Sequence, residues 1–358
     1  MGDLNLARNI AARIRLSEDI AGSSFEAQGF SGREQHKDSM LRNGLLISAS
    51  VTPNLEDRLT EVCNRLHIPR SCVTAFVFSS PQIQADCLVD SDSTCVLRFT
   101  SGLVNLMDDK EFQFVAAHEL GHFLLGHGAC SQYRGDGSTE GYMIQRAGEL
   151  SADRIGYLGV NSLDESIQSI IKAVSGLDER FLRFDVSSFL GQAGMLSSPG
   201  KGESRNSTHP SMLIRCRALM WFSMVVKSMD DLEKLSELEI KRIDKKVTTD
   251  LEKYVDGQVR ARKGELEQDI ALWKACVLIL HQGSFRKDVQ ERMKQSLGLE
   301  NLNGLKSFFD MFEAGELLAE ANSRLKASLE SAYQEYPRSA SDIEEAGFRC
   351  AYSIAPSE

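Results

Sequence analysis

Two histidines and a glutamate on one short stretch have the types and spacing that point most directly to chemistry. They form the pattern His118-Glu119-x-x-His122 within an apolar segment. On a helix, residues four apart project from the same face, so both imidazoles can bind one metal ion. The pattern is typical of zinc sites in which the adjacent glutamate, here Glu119, acts as a general base. The alternative is a pair of solvated or core histidines.

A catalytic zinc ion needs three protein ligands and one open position, so a third ligand must come from elsewhere. The metzincin extension would place glycine at position 125 and histidine at position 128, where the chain has Leu125 and Gly128. The gluzincin pattern takes a glutamate from a following helix, and Glu149 is the best candidate. Asp153, one turn later, can accept the outer N–H of a zinc-bound histidine. The alternatives are a solvated Glu149 and, for Asp153, a helix-surface ion pair with Arg154 or another basic residue.

The elements that must position these residues are strands followed by helices. Residue patterns predict, in order, a helix at 54–66, a strand at 73–78, a short edge strand within 81–89 and a strand at 95–100. Asp108 and Asp109 are suitable N-caps for the helix that carries the two histidines. A second helix, predicted at 142–158, carries Glu149. This order indicates an α+β fold.

Composition and charge exclude several classes of protein. The length of 358 residues favours two or three domains, and 42% apolar with 26% charged residues is typical of a soluble globular protein. The net charge of −10 argues against nucleic-acid binding, and no apolar run is long enough for a membrane span. Eight cysteines without a Cys-x-x-Cys, and an N-terminus without an apolar signal region, predict reduced thiols and a cytoplasmic protein.

Three motifs in order resemble the M48 family of zinc metallopeptidases. They are His118-Glu-Leu-Gly-His122, Glu149-x-x-Ala-Asp153-Arg and Thr208-His209-Pro-Ser-x-x-x-Arg215. The resemblance covers about residues 50–225. Within the family, the chain resembles the soluble core of peptidases of the CAAX prenyl protease type, the HtpX type and the mitochondrial type. It implies a gluzincin-like core, in which a small sheet lies over the zinc-binding helices.

The resemblance also implies the role of each residue in the motifs. One Zn²⁺ per chain would be bound by the two motif histidines and Glu149, and Glu119 would be the base that takes a proton from a zinc-activated water. His209 would reach toward that water or the tetrahedral intermediate. Arg215 would brace Glu149 or the helices of the site. His127 matches a histidine often seen after the motif and is not expected to be a ligand.

The segment that pairs with extended substrate in the family shows a departure. Relatives often carry Asn-Ala before the second strand, where this chain has Gln84, Ala85 and Asp86. We expect this segment to form the substrate edge of the sheet, where main-chain hydrogen bonds would align a peptide.

The chain is predicted to divide into three parts. Residues 1–43 form an N-terminal arm, either a mobile leader or an inhibitory segment, and 44–228 form the peptidase domain. Residues 229–358 contain only two prolines and no convincing strand, so they are read as an all-α C-terminal domain of unknown role that could bind a protein partner.

The predicted function is that of a zinc-dependent endopeptidase acting on protein or peptide substrates. The alternative is a regulatory or scaffolding zinc-binding protein with latent or little peptidase activity, controlled by its helical domain. The intact Glu119 argues against that alternative, because an enzyme that has degenerated usually loses its base first.

Overall fold

The computed structural model describes residues 2–17, 19, 40–127, 137–183, 185–195, 210–227, 232 and 235–356 of the chain. The chain divides into two compact units. Unit one comprises Met1–Asp136 and Gly141–Val255, and unit two comprises Gly137–Glu140 and Asp256–Glu358. The His118-Glu119-x-x-His122 motif lies in unit one.

Unit one contains the strands and the first group of helices. The strands are β1 (Gly44–Leu46), β2 (Val73–Phe78), β3 (Ala85–Val89) and β4 (Cys95–Thr100). The helices are α1 (Leu4–Ile14), α2 (Pro53–Arg65), α3 (Ser101–Leu106), α4 (Asp109–Leu124), α5 (Thr139–Val160), α6 (Leu163–Ser175), α7 (Val186–Gly191), α8 (Met212–Ser223) and α9 (Glu237–Leu251).

The four strands form one mixed sheet in the order β1-β2-β4-β3. The central pair β2 and β4 is parallel, with Val73 opposite Cys95, and both outer pairs are antiparallel. The two long strands coincide with the predicted ones, and β3 lies within the predicted segment 81–89 at an edge of the sheet. The short strand β1 was not predicted.

Helix α4 is the central element of unit one, and its boundaries follow from its sequence. Asp108 accepts hydrogen bonds from the Lys110 and Glu111 amides, while the Glu111 side chain accepts one from the Asp108 amide. This reciprocal capping box fixes the first turn. Almost every following side chain is buried, so the helix runs through the core rather than over it. A rigid core helix holds the motif histidines in fixed positions.

Helices α4 and α5 approach each other closely because small residues line their contact. A methyl group built at Gly159 would lie 2.2 Å from the Ala117 Cβ, and one built at Gly121 would lie 3.1 Å from the Ala152 Cα. Distances this short leave no room for a larger side chain at either glycine. The close approach brings Glu149 of α5 within reach of the motif histidines of α4.

The first part of the N-terminal arm is packed into unit one. The side chains of Ala7, Ala11, Ile14 and Leu16 are fully buried in its core. The Leu16 amide donates a hydrogen bond of 3.0 Å to Ser151 Oγ on α5. A mobile leader is therefore the wrong interpretation for residues 4–16. Residues 20–39 of the arm lie outside the described residues.

The end of unit one differs from the boundary expected after residue 228. The apolar side chains of α9, including Ile240, Val247 and Leu251, are buried in the core of unit one. Arg217 of α8 donates two hydrogen bonds to Asp250 of α9. Unit one therefore extends to Val255, because the apolar stripe of α9 is buried against the rest of that unit.

In the described part of unit two, all the regular secondary-structure elements are helices. Its helices are α10 (Gly257–Gln282), α11 (Lys287–Met311), α12 (Leu317–Glu335) and α13 (Ala340–Ile354). Gly298 interrupts α11 with a φ of 87°, a conformation that glycine adopts without strain. Together with unit one, this confirms the predicted α+β core followed by a helical domain.

No helix that the structure describes has both the length and the apolar character that a membrane crossing requires. The seven cysteines within the described ranges are all free thiols, and Cys130 lies outside them.

Candidate metal centre

Two histidines of α4 and one glutamate of α5 converge on a single point. The Nε2 atoms of His118 and His122 lie 3.2 Å apart. Each also lies 3.5 Å from a Glu149 carboxylate oxygen. Within the described part of the chain, this is the one cluster of possible metal ligands that contains histidine. The structure thus brings together the three residues that the sequence singled out.

The spacing of these three donors fits a tetrahedral zinc ion. Zinc binds nitrogen and oxygen ligands at about 2.0–2.1 Å, so two ligands of a regular tetrahedron lie about 3.3–3.4 Å apart. The three separations between the donor atoms, 3.2, 3.5 and 3.5 Å, lie on either side of that value. Two imidazoles and one carboxylate are also the donor set of known catalytic zinc sites. The residues present therefore fit a bound zinc ion.

The orientation of His118 is fixed by a carboxylate behind it. Its Nδ1 atom lies 3.0 Å from Asp153 Oδ1, and an ionised carboxylate can only accept a hydrogen bond. The proton of His118 is therefore on Nδ1, and the lone pair on Nε2 points to the site. Arg215 of α8 donates to both Asp153 oxygens, at 2.8 and 2.6 Å. Arg215 thus braces Asp153 directly, where either Glu149 or the helices of the site had been expected as its partner.

Asp153 is not part of a surface ion pair. It is buried, and the neighbouring Arg154 donates instead to Asp244 Oδ1 at 2.7 Å. The alternative raised for Asp153 is therefore wrong in this structure.

A second chain of contacts extends behind His122. Its Nδ1 atom lies 2.7 Å from Nδ1 of His127, whose Nε2 lies 3.0 Å from Asp19 Oδ2. Asp19 was not singled out from the sequence. It lies in a polar stretch, 108 positions from the histidine that it contacts, and no local pattern marks it.

The charges of the protein groups show that the site favours a cation. Burial opposes a charged His118, but its hydrogen bonds to the Asp153 and Glu149 carboxylates outweigh burial and raise the pKa of His118 to about 10. Burial also favours a neutral Glu149, yet the hydrogen bond from His118 and nearby positive charge lower the pKa of that carboxyl. Burial lowers the pKa of His122 well below its usual range. Without a metal ion, Asp153 and Glu149 thus favour a second proton on His118, and a metal ion bound at Nε2 would take the place of that proton.

Glu119 lies beside the converging donors and is only partly buried. Burial is the main cause that raises its pKa to about 7, and the charges of Glu149 and Asp86 add to the effect. His118 and Arg215 oppose it. A carboxylate with a pKa near neutrality is suited to exchange protons at physiological pH.

Strand β3 is an edge strand that pairs only with β4 among the described residues, and its other side is here called the open edge of the sheet. The Thr100 amide donates to the Gln84 carbonyl at 3.0 Å, and the Asp90 amide donates to the Thr94 carbonyl. Antiparallel pairing alternates, so the main-chain groups of Gln84 and Asp86 face β4, whereas those of Ala85 and Cys87 face the open edge. Of the three residues predicted for substrate pairing, only Ala85 presents its main chain outward. The Asp86 side chain pairs with Arg98 of β4.

His209, predicted from the resemblance to contact the reaction centre, lies outside the described residues, as does Thr208. The rest of that motif is described. Pro210 is buried, and Ser211 caps α8 by accepting a hydrogen bond from the Ile214 amide. The cap sets the start of the helix that carries Arg215.

Residues 49–143 match the model of Peptidase family M48. This chain thus contains an M48 domain, and the predicted family resemblance is confirmed. The family is one of metallopeptidases, and the matched segment includes the two motif histidines and Glu119 but ends before Glu149. No curated protein and no solved structure matches the chain. The resemblance to particular members of the family stays a prediction.

Proposed function

We propose that the protein is a zinc-dependent endopeptidase that hydrolyses peptide bonds of protein substrates. The observation that carries this proposal is the convergence of His118, His122 and Glu149 beside a carboxylate, Glu119, that takes no part in the cluster. A purely structural zinc site is closed by four protein ligands, whereas three ligands leave a position open. The M48 match supports the same class of reaction.

Bound zinc would act as a Lewis acid that makes water a nucleophile near neutral pH and polarises a carbonyl group. His118, His122 and Glu149 would hold one ion per chain. Asp153 keeps the His118 lone pair directed at the ion, and Arg215 keeps Asp153 ionised and in place. Asp153 and His118 are buried, so water does not readily replace either partner when the other is lost.

Glu119 is the proposed general base. It takes a proton from the attacking water and then delivers it to the nitrogen of the leaving amine. Its position on the turn of α4 that carries both histidines keeps the carboxylate beside the point of convergence. His209 is proposed, from the family resemblance, to donate a hydrogen bond to the developing oxyanion.

The substrate is proposed to bind as an extended chain along β3. The outward main-chain groups of Ala85 and Cys87 would pair with its backbone and add a strand to the sheet. Because backbone pairing is independent of sequence, specificity must come from the side chains that flank the edge. The proposed role of unit two is to bind a protein partner or substrate. The cytoplasmic location inferred from the cysteines also stays a prediction.

An activity assay with metal removal tests the proposal. Purified protein loaded with zinc should cleave an unfolded substrate such as casein, and a chelator such as 1,10-phenanthroline should stop the cleavage. Readdition of zinc should restore it. A protein that binds one zinc ion tightly but cleaves neither casein nor a peptide library would instead support the regulatory or scaffolding alternative.

Two arginines of α8 provide a matched pair of variants for the support of His118. We expect Arg215→Met to weaken zinc binding by about 10- to 100-fold, the usual effect of losing a partner behind a ligand. Arg217→Met should leave zinc affinity unchanged, because Arg217 binds Asp250 instead of Asp153. Zinc affinity would be measured by competition with a chromogenic chelator. Equal affinities in the two variants would contradict the proposed link from Arg215 to the metal.

A further inference from the structure

We propose that Asp19 and His127 position His122 for zinc binding, so that the N-terminal arm completes the metal centre. Neither residue is a ligand; they act through His122. The inference rests on the proposed zinc site and adds to it a pair of positioning residues, one of which comes from a segment without any recognisable motif.

His122, His127 and Asp19 form a continuous chain of hydrogen bonds that leads away from the site. His122 Nδ1 lies 2.7 Å from His127 Nδ1, and His127 Nε2 lies 3.0 Å from Asp19 Oδ2. Asp19 is 0% exposed and His127 is 3% exposed. At these distances all three groups are hydrogen-bonded, and the burial of Asp19 and His127 excludes bulk water as a substitute partner for them.

The proton positions in this line follow from its far end. An ionised carboxylate only accepts, so His127 donates from Nε2 to Asp19 and carries a lone pair on Nδ1. That lone pair can only accept, so His122 donates from its own Nδ1. The Nε2 atom of His122 is therefore left with a lone pair, which points at Nε2 of His118 and at Glu149. This is the form of histidine that binds a metal ion.

The two ligand histidines are thus held in the same form by different means. His118 donates to the carboxylate of Asp153 directly, while His122 reaches the carboxylate of Asp19 through one intervening imidazole. Without Asp19, His127 could carry its proton on Nδ1, which would face His122 and favour the form of His122 that cannot bind zinc.

The chain leading to Asp19 is fixed to the helix that supplies the third ligand. The Leu16 amide donates to Ser151 Oγ, and Arg154 Nη1 donates to the Ile14 carbonyl at 2.8 Å. Both partners lie on α5, between Glu149 and the end of that helix. These hydrogen bonds hold the chain at Ile14 and Leu16 in place. The arm therefore places the Asp19 carboxylate behind His127, which contacts His122.

Zinc affinity of Asp19→Ala tests the inference in the full-length protein. We expect affinity to fall by about 10- to 100-fold relative to the unchanged chain. The control is Asp3→Ala, which removes the N-cap of α1 in the same arm but touches neither histidine. Asp3→Ala should bind zinc within twofold of the unchanged chain. Equal losses in both variants would show that only the folding of the arm matters, and would overturn the inference.

A double-mutant cycle separates positioning from general damage. His127→Phe keeps a ring in the same space but removes the acceptor, so it should lower zinc affinity as much as Asp19→Ala. If the line acts as one unit, adding Asp19→Ala to His127→Phe should cause no further loss, whereas additive losses would contradict it. If Asp19→Ala does not fold, the isosteric Asp19→Asn replaces it, with at least a threefold loss expected.

A direct measurement of proton position completes the test. In zinc-loaded protein labelled with ¹⁵N-histidine, the His127 proton should reside on Nε2 and exchange slowly with solvent. A His127 proton on Nδ1 would overturn the inference. Failure of the zinc proposal itself would look different, because the unchanged chain would then bind no stoichiometric zinc in any of these experiments.

Discussion

Replacing Glu119 with glutamine should leave one zinc ion bound and lower the rate of peptide hydrolysis by at least 10²- to 10⁴-fold, roughly the usual contribution of a general base. Glutamine has the shape of glutamate, so the packing around α4 should not change. Its amide, however, cannot take a proton from water. Zinc binding should persist because the ligands are the two histidines and Glu149, none of which is altered.

The measurement combines zinc content by atomic spectroscopy with the initial rate of casein cleavage. Asp109→Asn is the control, since Asp109 lies on the first turn of the same helix and its side chain is exposed. The control should retain both properties. Cleavage by Glu119→Gln at the rate of the unchanged protein would show that another group is the base.

Replacing Glu149 with alanine should remove the metal. The change deletes one ligand of three and leaves the buried His118 and Asp153 without the adjacent carboxylate. Because Glu149 would contact the ion directly, its loss should lower zinc affinity by more than the roughly 10- to 100-fold usual for losing a partner behind a ligand. After dialysis the variant should contain far less than one zinc ion per chain and should have no peptidase activity.

A second acidic group in unit one supplies the control for this prediction. Asp108, Glu111 and Glu165 also place carboxylate oxygens close together. Lys172 already pairs with one of these carboxylates, with its Nζ 2.7 Å from Glu111 Oε2. Glu165→Gln should therefore leave zinc content unchanged. Stoichiometric zinc in Glu149→Ala, or its loss in Glu165→Gln, would place the ion elsewhere.

Sequence reasoning succeeded where the signal was local. Asp108, one of the two predicted N-caps, marks the start of α4, and the four-residue spacing of His118 and His122 follows from helix geometry alone. Strands β2 and β4 were predicted because runs of β-branched and aromatic residues are bounded by polar ones. Glu149 was found because the donor number of zinc requires a third ligand and a later helix offers one.

The features that the sequence did not reveal depend on contacts between distant parts of the chain. The weak helical pattern around Asp19 marks apolar positions such as Leu16 and Ile20, and the aspartate itself meets His127 only when the arm packs. The three-residue strand β1 is too short to show alternation. The apolar stripe of α9 was visible, but periodicity does not say which core buries a helix, and this is why the expected boundary after residue 228 differs from Val255.

One buried side chain, Arg154, sets a constraint on how unit one is assembled. Its guanidinium donates to the Ile14 carbonyl, 140 positions earlier, and to Asp244, 90 positions later. The Arg154 side chain is buried, so water does not replace either partner. During synthesis the motif histidines and Glu149 leave the ribosome long before Asp244 does. Contacts of such high sequence separation form slowly, and domains tend to fold as complete units. The proposed zinc ligands would therefore be synthesised before the fold that holds them is complete, and we expect stable loading of the metal in the last stage of folding of unit one.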